Sequence, residues 1–499
     1  MKSSLSPKDL HDKKVSELQA EVRKYYNECQ ASNLPPLSLN YGAKKSFTIR
    51  SKSYKNNSRS ISCDSLDRIL ELDLQSLTIK AEPRVTMEML LIATLPKGLA
   101  VPVIPEIKSM TIGGALMGIA GESSSHRWGC LHEVCTGLDL LLGNGELLHV
   151  SPNDHPEIFY GLAGSYGSLG ALVSVELKLT PVKPFVHLSY YSYANPEDAL
   201  DAMQELYKSR NPPDFLEGFI FAKDLAVIAV GNCYATDRIS RKSPLLSLKR
   251  AYSKWYYQHV YDALKNSQVY EEVMPYAEYI FRHDQGAFWM GAYLLYPSLL
   301  SAFICQGMLN LYTPKLDYFD GNQVRHYHNA LCPPTIGRTI MYPWMSCQKM
   351  QAMLHRAEKW IQNRFVIQDF CLPESTAKTF LQKAIADTEI FPIWLCPIKS
   401  TTTPQIFAPH QAKDHTLDPY FIDIGLYGLP SYSMPIHQIT KKLEGLAKEL
   451  HGRKVLYSCS YYSPNEFWEI YPQHEYEKLR KLTYANGIWH QITDKVLSI

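Results

Sequence analysis

The spacing of apolar residues along the chain separates helices from strands. Near the N-terminus, apolar side chains recur every three or four residues and predict one buried helix face: Val15, Leu18, Val22 and Tyr25. Apolar residues within 77–81 alternate with polar ones, which predicts a strand. Thr86 stands before an apolar run and predicts a capped helix, which Pro96 and Gly98 end. The first hundred residues are therefore expected to form short helices and strands.

Short elements continue through the next eighty residues. Two apolar runs flank Asn144 and Gly145, a pair that tolerates positive φ at both turn positions, and this predicts a β-hairpin. A helix at 156–162 and a strand at 171–179 follow. The prolines after that strand indicate a domain boundary near residue 185.

The remainder of the sequence has longer periods and more aromatic residues. CQKMQAMLHRAEKWIQNR at 347–364 predicts a helix, whereas FPIWLCPI at 391–398 and YFIDIGLYG at 420–428 predict strands. An α+β fold is expected, in three parts: an N-terminal helical extension at 1–38, a first domain at 39–185 and a second domain at 186–499.

Composition and charge exclude several classes of function. The chain has 499 residues, of which 45% are hydrophobic and 20% charged, and its formal net charge is +2. This charge creates no overall electrostatic field that would attract nucleic acid, and nucleic-acid binding is set aside. The eleven cysteines are spread along the sequence, and the opening MKSSLSPKDLHDKK lacks the apolar region of a signal peptide. We expect reduced thiols, a cytoplasmic protein and no clear transmembrane anchor.

One uncharged stretch, residues 285–314, is long enough to span a membrane. Gly291, Pro297 and Gly307 interrupt it, and irregular backbone is not tolerated against lipid, so a span is disfavoured. Two interpretations remain. The stretch is either a buried wall of the core, or an apolar surface that rests on the membrane as a peripheral contact.

The most unusual local sequence is MTIGGALMGIAGESSSHRWG at 110–129, which holds five glycines and three consecutive serines. Glycine lets backbone N–H groups converge on an anion and approach it closely. The stretch therefore suits a pyrophosphate, although a tightly packed turn uses glycine for the same reasons. There is no G-x-x-x-x-G-K-[ST] loop, and no G-x-G-x-x-G with a following acidic residue, which excludes Walker and Rossmann sites.

The segment HRWGCLHEVC also contains four residues of metal-ligand type: His126, Cys130, His132 and Cys135. Their spacing matches no common structural zinc pattern, and no second pair of cysteines lies nearby in the sequence. No metal site is therefore expected, and the two cysteines are interpreted as small core residues.

The order of these motifs is similar to that of a known superfamily. TIGGALMG, ESSSHRWG, HEVCTGLDLLLGNGEL and FYGLAGSYGSLGALVSVELKLTP resemble the FAD-binding domain of the p-cresol methylhydroxylase and vanillyl-alcohol oxidase type. Phrases of the second half, FRHDQGAFW, FVIQDFCLP, IFPIWLCPI and YFIDIGLYGLP, resemble its Δ24-sterol reductase branch. The resemblance covers roughly residues 40 to 490. It implies a two-part FAD-binding domain followed by an α/β substrate-binding cap domain.

The resemblance assigns FAD binding to one continuous segment: Thr111, Ile112, Gly113, Gly114, Ala115, Leu116, Met117, Gly118, Ile119, Ala120, Gly121, Glu122 and Ser123. GSYGSLG at 164–170 would approach the flavin from a second loop of the same domain. The matching first loop, 41–56, lacks the glycine cluster of the superfamily and the histidine that attaches flavin in some members. Non-covalent FAD is implied.

The activity that the resemblance implies is reduction of an isolated C=C bond in the tail of a sterol or in another apolar alkene, with NADPH as electron source. The protein must hold FAD and alkene in contact, exclude water and supply a proton. His283 and Tyr427 are the candidate proton donors, because both lie in family-like phrases of the cap. Either residue is also compatible with an ordinary buried role.

Two other functions remain open at this point. The sequence is also compatible with an FAD-dependent alcohol or hydroxy-acid oxidase or dehydrogenase, as elsewhere in the superfamily. It is further compatible with a non-catalytic flavin-fold module that binds lipid or protein. The glycine stretch argues against the non-catalytic module, and the altered first loop argues mildly for it.

Overall fold

The structure is a computed structural model that describes residues 5–32, 34–42, 48–237, 244–264, 267–295, 304, 335–401, 403, 405–412, 418–431 and 434–498. Its strands are β1 (Leu37–Asn40), β2 (Arg59–Ser62), β3 (Ile69–Asp73), β4 (Thr78–Ala81), β5 (Leu99–Ala100), β6 (Cys135–Leu141), β7 (Leu147–Val150), β8 (Ala171–Lys178), β9 (Thr180–Pro181), β10 (Phe185–Tyr193), β11 (Phe215–Ala222), β12 (Leu225–Tyr234), β13 (Val269–Pro275), β14 (Val366–Pro373), β15 (Ile393–Lys399), β16 (Tyr420–Gly428) and β17 (Arg453–Lys454).

The α-helices, in sequence order, are α1 (Pro7–Ala31), α2 (Met87–Thr94), α3 (Ile112–Gly118), α4 (Ser125–Trp128), α5 (Pro156–Leu162), α6 (Pro196–Lys208), α7 (Tyr256–Ala263), α8 (Tyr276–Ile280), α9 (Met290–Leu294), α10 (Thr335–Met341), α11 (Cys347–Leu354), α12 (Glu358–Gln362), α13 (Glu374–Thr388), α14 (Ile436–Glu449), α15 (Pro464–Ile470), α16 (Gln473–Leu482) and α17 (Ile492–Val496). Short 3₁₀ turns lie at Ser53–Asn57, Leu95–Lys97, Leu131–Val134, Tyr342–Trp344 and His355–Ala357. The expected α+β class is confirmed.

The first domain is built on a five-stranded antiparallel sheet in the order β3-β4-β8-β6-β7. The predicted hairpin is its β6-β7 pair, but only Gly145 has a positive φ, of +82°, so the expected turn with two positive φ angles is wrong. A Cβ on Gly145 would lie 2.7 Å from the Cβ of Arg23. Gly145 therefore serves both the turn and the close approach of α1.

Helix α1 confirms the apolar face that the sequence predicts. Its side chains pack into a buried cluster with the first sheet and with residues 485–489: Val15, Leu18, Val22 and Tyr25. The N–H of Leu37 donates to the carbonyl of Ile488 (2.7 Å), and the N–H of Gly143 donates to that of Thr483 (2.9 Å). The chain thus returns, after the second domain, to complete the first.

The second domain is an eight-stranded sheet in the order β13-β10-β12-β11-β15-β16-β14-β17, antiparallel at every pairing. Side chains alternate between the two faces of each strand. One face packs on α6, α13 and α14 in an apolar layer. The other, called the front face here, contacts the first domain and carries Glu217, Trp394 and Tyr427.

Two sequence expectations about the second domain need comment. The single helix predicted at 347–364 is wrong, because α11, a 3₁₀ turn and α12 replace it. No proline or glycine breaks it, so the interruption is a tertiary effect that local periodicity does not report. Of the apolar stretch 285–314, residues 285–295 are buried or half-buried in the core, whereas 296–303 and 305–314 lie outside the described residues. No helix in the described ranges is both long and apolar enough to cross a membrane.

Candidate active site

The predicted FAD segment, residues 111–123, forms helix α3 and the loop that follows it. Thr111 caps the helix, since its Oγ1 accepts from the N–H of Gly114 (3.2 Å). The N–H groups of Ile112 and Gly113 donate to the carbonyls of Val85 (2.9 Å) and Pro83 (2.8 Å). The first N–H groups of α3 are therefore satisfied within the protein and are not held free for an anion.

The open side of the segment is at Gly118. A Cβ placed there would have one heavy atom within 4 Å, the hydroxyl oxygen of Tyr166 at 3.9 Å. That hydroxyl is buried, and the buried side chain of Arg50 lies against it, with its guanidinium 4.2 Å from the ring centroid. Open space along glycine, next to a buried hydroxyl and a cation, fits a bound FAD.

Tyr166 belongs to the second glycine-rich loop, and the C-terminal region holds that loop in place. The Nζ of Lys495 donates to the carbonyls of Tyr166 and Gly167, both at 3.0 Å. Arg480 Nη1 donates to the carbonyl of Ser168 at 2.7 Å. Burial lowers the pKa of Lys495 to about 7. Sequence reasoning missed both cations, because their partners lie more than three hundred residues away.

The end of the FAD segment enters a buried polar network. Ser123 Oγ donates to Glu122 Oε2 (2.8 Å) and lies 3.2 Å from the hydroxyl of Tyr279. Burial raises the pKa of Glu122, and it raises that of Glu106 to about 8 against the opposing charge of Arg282. Arg282 Nη2 lies 3.5 Å from Glu106 Oε1. The segment is thereby connected to the front face of the second domain.

The centre of the network is Glu217, which receives three donors. Arg282 Nε donates to Oε1 at 2.7 Å, and Trp394 Nε1 donates to Oε2 at 2.9 Å. His283 Nε2 lies 3.0 Å from Oε2. Burial acts to raise the pKa of Glu217, but the charge of Arg282 and the contact with His283 outweigh it and hold the pKa well below its usual range. Glu217 is therefore an ionised carboxylate.

His283, the first predicted proton donor, is placed as a neutral ring. Burial lowers its pKa to about 4, and its ring stacks on Phe288 with the centroids 4.1 Å apart. The carboxylate of Glu217 can only accept, so the single ring proton of neutral His283 lies on Nε2 and is donated to that carboxylate. This arrangement makes His283 a poor acid for a substrate.

Tyr427, the second predicted donor, is part of a carboxyl–phenol pair. Its hydroxyl donates to Asp369 Oδ1, and Tyr457 is a second hydrogen-bonding partner of Asp369. Burial raises the pKa of Asp369 to about 6 and also raises the pKa of Tyr427. A Cβ on Gly425 would lie 2.6 Å from the Tyr427 hydroxyl. Glycine is therefore required beside the pair.

Asp423 lies two residues before Gly425, on the same face of β16. Its Oδ1 is buried without a hydrogen-bond partner among the described residues. Burial, and then the neighbouring Asp369, raise the pKa of Asp423 well above its usual range. Two carboxyl groups with raised pKa values therefore face the first domain from adjacent strands.

Phe288 brings the two predicted donors together. Its ring lies 4.1 Å from His283, 5.5 Å from Tyr427 and 5.4 Å from Trp394, measured between ring centroids. The predicted donors thus share one aromatic wall. The sequence did hold a signal for the missed carboxyl groups, since a lone acidic residue within an apolar strand rarely lacks a special role: Glu217 in FLEGFIFA, Asp369 in VIQDFC and Asp423 in YFIDIG.

A groove of about 590 Å³ lies between α2 and α8. Its lining combines apolar and aromatic side chains with charged and amide groups: Leu91, Ile92, Leu95, Leu248, Phe281 and Tyr342, and Glu88, Lys108, Lys249, Glu278, Arg282, Asp284 and Gln285. Small-molecule sites fall in this range of size and character.

Comparison with known proteins finds two kinds of similarity, to an FAD-binding domain and to sterol reductases. A family profile described as an FAD binding domain matches residues 17–151, from within α1 to just past β7. The chain is 28% identical to the Δ24-sterol reductase of Homo sapiens over 99% of this chain and 88% of that protein. The corresponding figures are 26%, 98% and 88% for the homolog from Caenorhabditis elegans, and 26%, 85% and 74% for the enzyme of Arabidopsis thaliana.

The chain is similar to Δ24-sterol reductases over nearly its whole length. The predicted resemblance is confirmed, and with it the FAD-binding domain. The match to these reductases extends through the cap domain, where the front face lies. By contrast, the decaprenylphosphoryl-β-D-ribose oxidase of Mycolicibacterium smegmatis is 28% identical over only 26% of this chain. The similarity to an oxidase is therefore short, and the similarity to the reductases is nearly complete.

Proposed function

We propose that this protein is an FAD-dependent oxidoreductase that reduces a C=C bond in the tail of a sterol or a similar apolar lipid, with NADPH as electron source. The observation that carries the proposal is similarity to Δ24-sterol reductases over both domains. FAD is held without a covalent bond, since residues 41–56 contain no histidine or cysteine. Gly118 and the Tyr166 hydroxyl are the groups that would hold it.

When bound, FAD supplies the hydride that reaches one carbon of the double bond. Tyr427 supplies the proton for the other carbon from its hydroxyl. In the structure the Tyr427 hydroxyl donates to Asp369; when Asp369 takes up a proton, which its raised pKa favours below about pH 6, the carboxyl group donates to the Tyr427 oxygen instead, and the phenolic proton is then free to point at the substrate. As Tyr427 gives up its proton, Asp369 replaces it. Neutral His283, bonded to Glu217, positions the aromatic wall and is not the acid.

The substrate is recognised mainly by apolar surface. The front face presents Phe288, Trp289 and Trp394 toward the first domain, and these rings exclude water from the region around Tyr427. The groove between α2 and α8 provides the route for the apolar ligand, because it lies against Arg282, which belongs to the same buried network. The apolar side chains of its lining suit the rings of a sterol.

The test is an anaerobic assay with NADPH and desmosterol, a sterol with a Δ24 double bond in its tail, followed by mass analysis for a gain of two hydrogens. Tyr427→Phe should slow the reoxidation of reduced flavin by the alkene roughly 10²- to 10⁴-fold, without changing flavin reduction by NADPH. Tyr462→Phe, which removes a long 3.5 Å bond to a helix carbonyl, is the control.

Three results would contradict the proposal in different ways. Unchanged alkene reduction by Tyr427→Phe would remove Tyr427 from the role of acid. Rapid reoxidation by oxygen, without reaction with the alkene, would favour the oxidase alternative. Purified protein without flavin absorption, even after incubation with FAD, would favour the non-catalytic module.

A further inference from the structure

A cluster of thiol, imidazole and carboxylate groups lies beside the FAD segment and has no part in the proposed chemistry. Cys130 and Glu133 come from the short 3₁₀ turn after α4, and His410 comes from the connection between β15 and β16. Cys130 Sγ lies 3.8 Å from His410 Nδ1, and Glu133 Oε2 lies 3.0 Å from His410 Nε2. One donor atom from each residue lies within 4.8 Å of the other two.

The first of these distances is close to that between two ligands of one metal ion, whereas Glu133 hydrogen-bonds the opposite nitrogen of His410 and would leave that bond to share the ion, which its carboxylate can reach. Zinc binds sulfur at about 2.3 Å and nitrogen at about 2.0–2.1 Å, so tetrahedral ligands of these types lie about 3.5 Å apart. The observed separation of sulfur and nitrogen is 3.8 Å. Sulfur and imidazole together favour a borderline-soft ion such as Zn²⁺ over Mg²⁺ or Ca²⁺, which prefer oxygen alone.

A second observation concerns a buried histidine beside these three residues. His132, on the same turn, is buried, and its Nδ1 has no hydrogen-bond partner among the described residues. Its Nε2 lies 2.6 Å from Gln405 Oε1, and Gln405 Nε2 donates to Thr401 Oγ1 at 3.1 Å, which fixes the amide orientation. His132 therefore donates from Nε2 and keeps a lone pair on Nδ1. Metal-ligating histidines are commonly held in this way, by a hydrogen bond from the other ring nitrogen.

We infer that Cys130, Glu133 and His410 form a binding site for a zinc ion, beside His132, whose ring centroid lies 5.7 Å from that of His410. Sequence spacing predicted no such site, because it matched no common zinc pattern, and Cys135, the nearby cysteine, donates to the carbonyl of Leu131. The missing ligand is His410, which is 280 residues from Cys130 in the sequence.

A Cys–His–Glu arrangement can also activate a cysteine as a nucleophile, but the sulfur of Cys130 is not accessible to a substrate. Cys130 is fully buried, and a Cβ on Gly121 would lie 3.4 Å from its sulfur. No substrate reaches a sulfur in that position without moving the FAD segment. A buried ion is therefore the better match to these donors, and it would tie the FAD segment to the β15–β16 connection of the cap.

The experiment measures zinc in the purified full-length protein by mass spectrometry, before and after dialysis against a chelator, and then titrates Zn²⁺ back. Cys130→Ala and His410→Gln should each lower the affinity for zinc at least tenfold. Cys347→Ala, a buried thiol distant from this turn, should bind like the unmodified protein. Retention of zinc by Cys130→Ala, or no stoichiometric uptake by the unmodified protein, would overturn the inference.

Cobalt replacement protects the test against variants that fail to fold. Co²⁺ added to the unmodified, chelator-treated protein should give the near-ultraviolet charge-transfer absorption of a thiolate ligand, and Zn²⁺ should displace it. Cobalt binding without that absorption would show that Cys130 is not a ligand. The result does not depend on sterol reduction, since neither metal uptake nor the cobalt spectrum requires substrate, NADPH or FAD.

Discussion

Replacement of Gly118 by Ala tests the FAD site with the least disturbance to the protein. Gly118 is the last residue of α3, its φ is not in the left-handed region, and a Cβ there would have only the Tyr166 hydroxyl within 4 Å. The apo protein should therefore accept the methyl group. Since glycine within a helix costs roughly 0.5–1 kcal/mol relative to alanine, we expect apo stability to rise by up to that amount.

The affinity for FAD should fall in the same variant. If FAD lies along the open side of Gly118, the added methyl group occupies its space, and overpacking of this kind costs roughly 1–3 kcal/mol. The dissociation constant of FAD should then rise roughly 5- to 150-fold. The expected signature is a more stable apo protein that binds less FAD, which general damage to the fold does not produce.

The assay is FAD titration of flavin-depleted protein, together with urea unfolding of the same samples. Gly445→Ala is the matched control, because Gly445 lies within α14 and a Cβ there would meet nothing within 4 Å. Gly113→Ala is the opposite case, since its Cβ would lie 2.7 Å from the Cβ of Pro83 and should lower apo stability. Equal FAD affinity for the Gly118 and Gly445 variants would refute the reasoning.

Two further predictions concern the front face. Glu217→Gln removes the negative charge that bonds both Arg282 and His283, and we expect the free energy of unfolding in urea to fall by roughly 3–5 kcal/mol. The control Glu466→Gln changes an exposed helix cap and should leave the urea midpoint nearly unchanged. Equal effects of the two substitutions would contradict the importance of the network. Burial raises the pKa of Asp369 from 3.8 to about 6, so between these values the folded protein keeps a proton that the unfolded state releases. The free energy of unfolding should therefore fall as the pH rises from about 4 to about 6. Asp369→Asn should reduce that decline in thermal unfolding, and an undiminished decline would assign it to other groups.

The sequence predicted those parts of the fold that local pattern determines. The apolar face of α1, the Thr86 cap of α2, the hairpin and the two front-face strands all follow from spacing within about twenty residues. The broken helix at 347–364 does not, because the break depends on packing partners elsewhere. The turn at Gly145 was located correctly, but its type was wrong.

The candidate site was predicted less completely, and for a physical reason. His283 and Tyr427 were selected by resemblance, and both lie on the same aromatic wall. The groups that set their protonation, Glu217 and Asp369, lie more than fifty residues from them in sequence. Protonation depends on burial and on partners across the sheet, and neither can be read from one segment of sequence.

The return of the polypeptide to the first domain has a consequence for biosynthesis. Lys495 and Arg480 hold the loop that carries Tyr166, and Thr483 accepts a hydrogen bond from Gly143 beside the hairpin. A ribosome makes these three residues only after the whole eight-stranded sheet has been synthesised. These contacts of the flavin domain therefore form only after the cap sheet has been synthesised. Premature termination anywhere beyond the cap sheet would leave a nascent polypeptide with a nearly full sequence and an unfinished cofactor site.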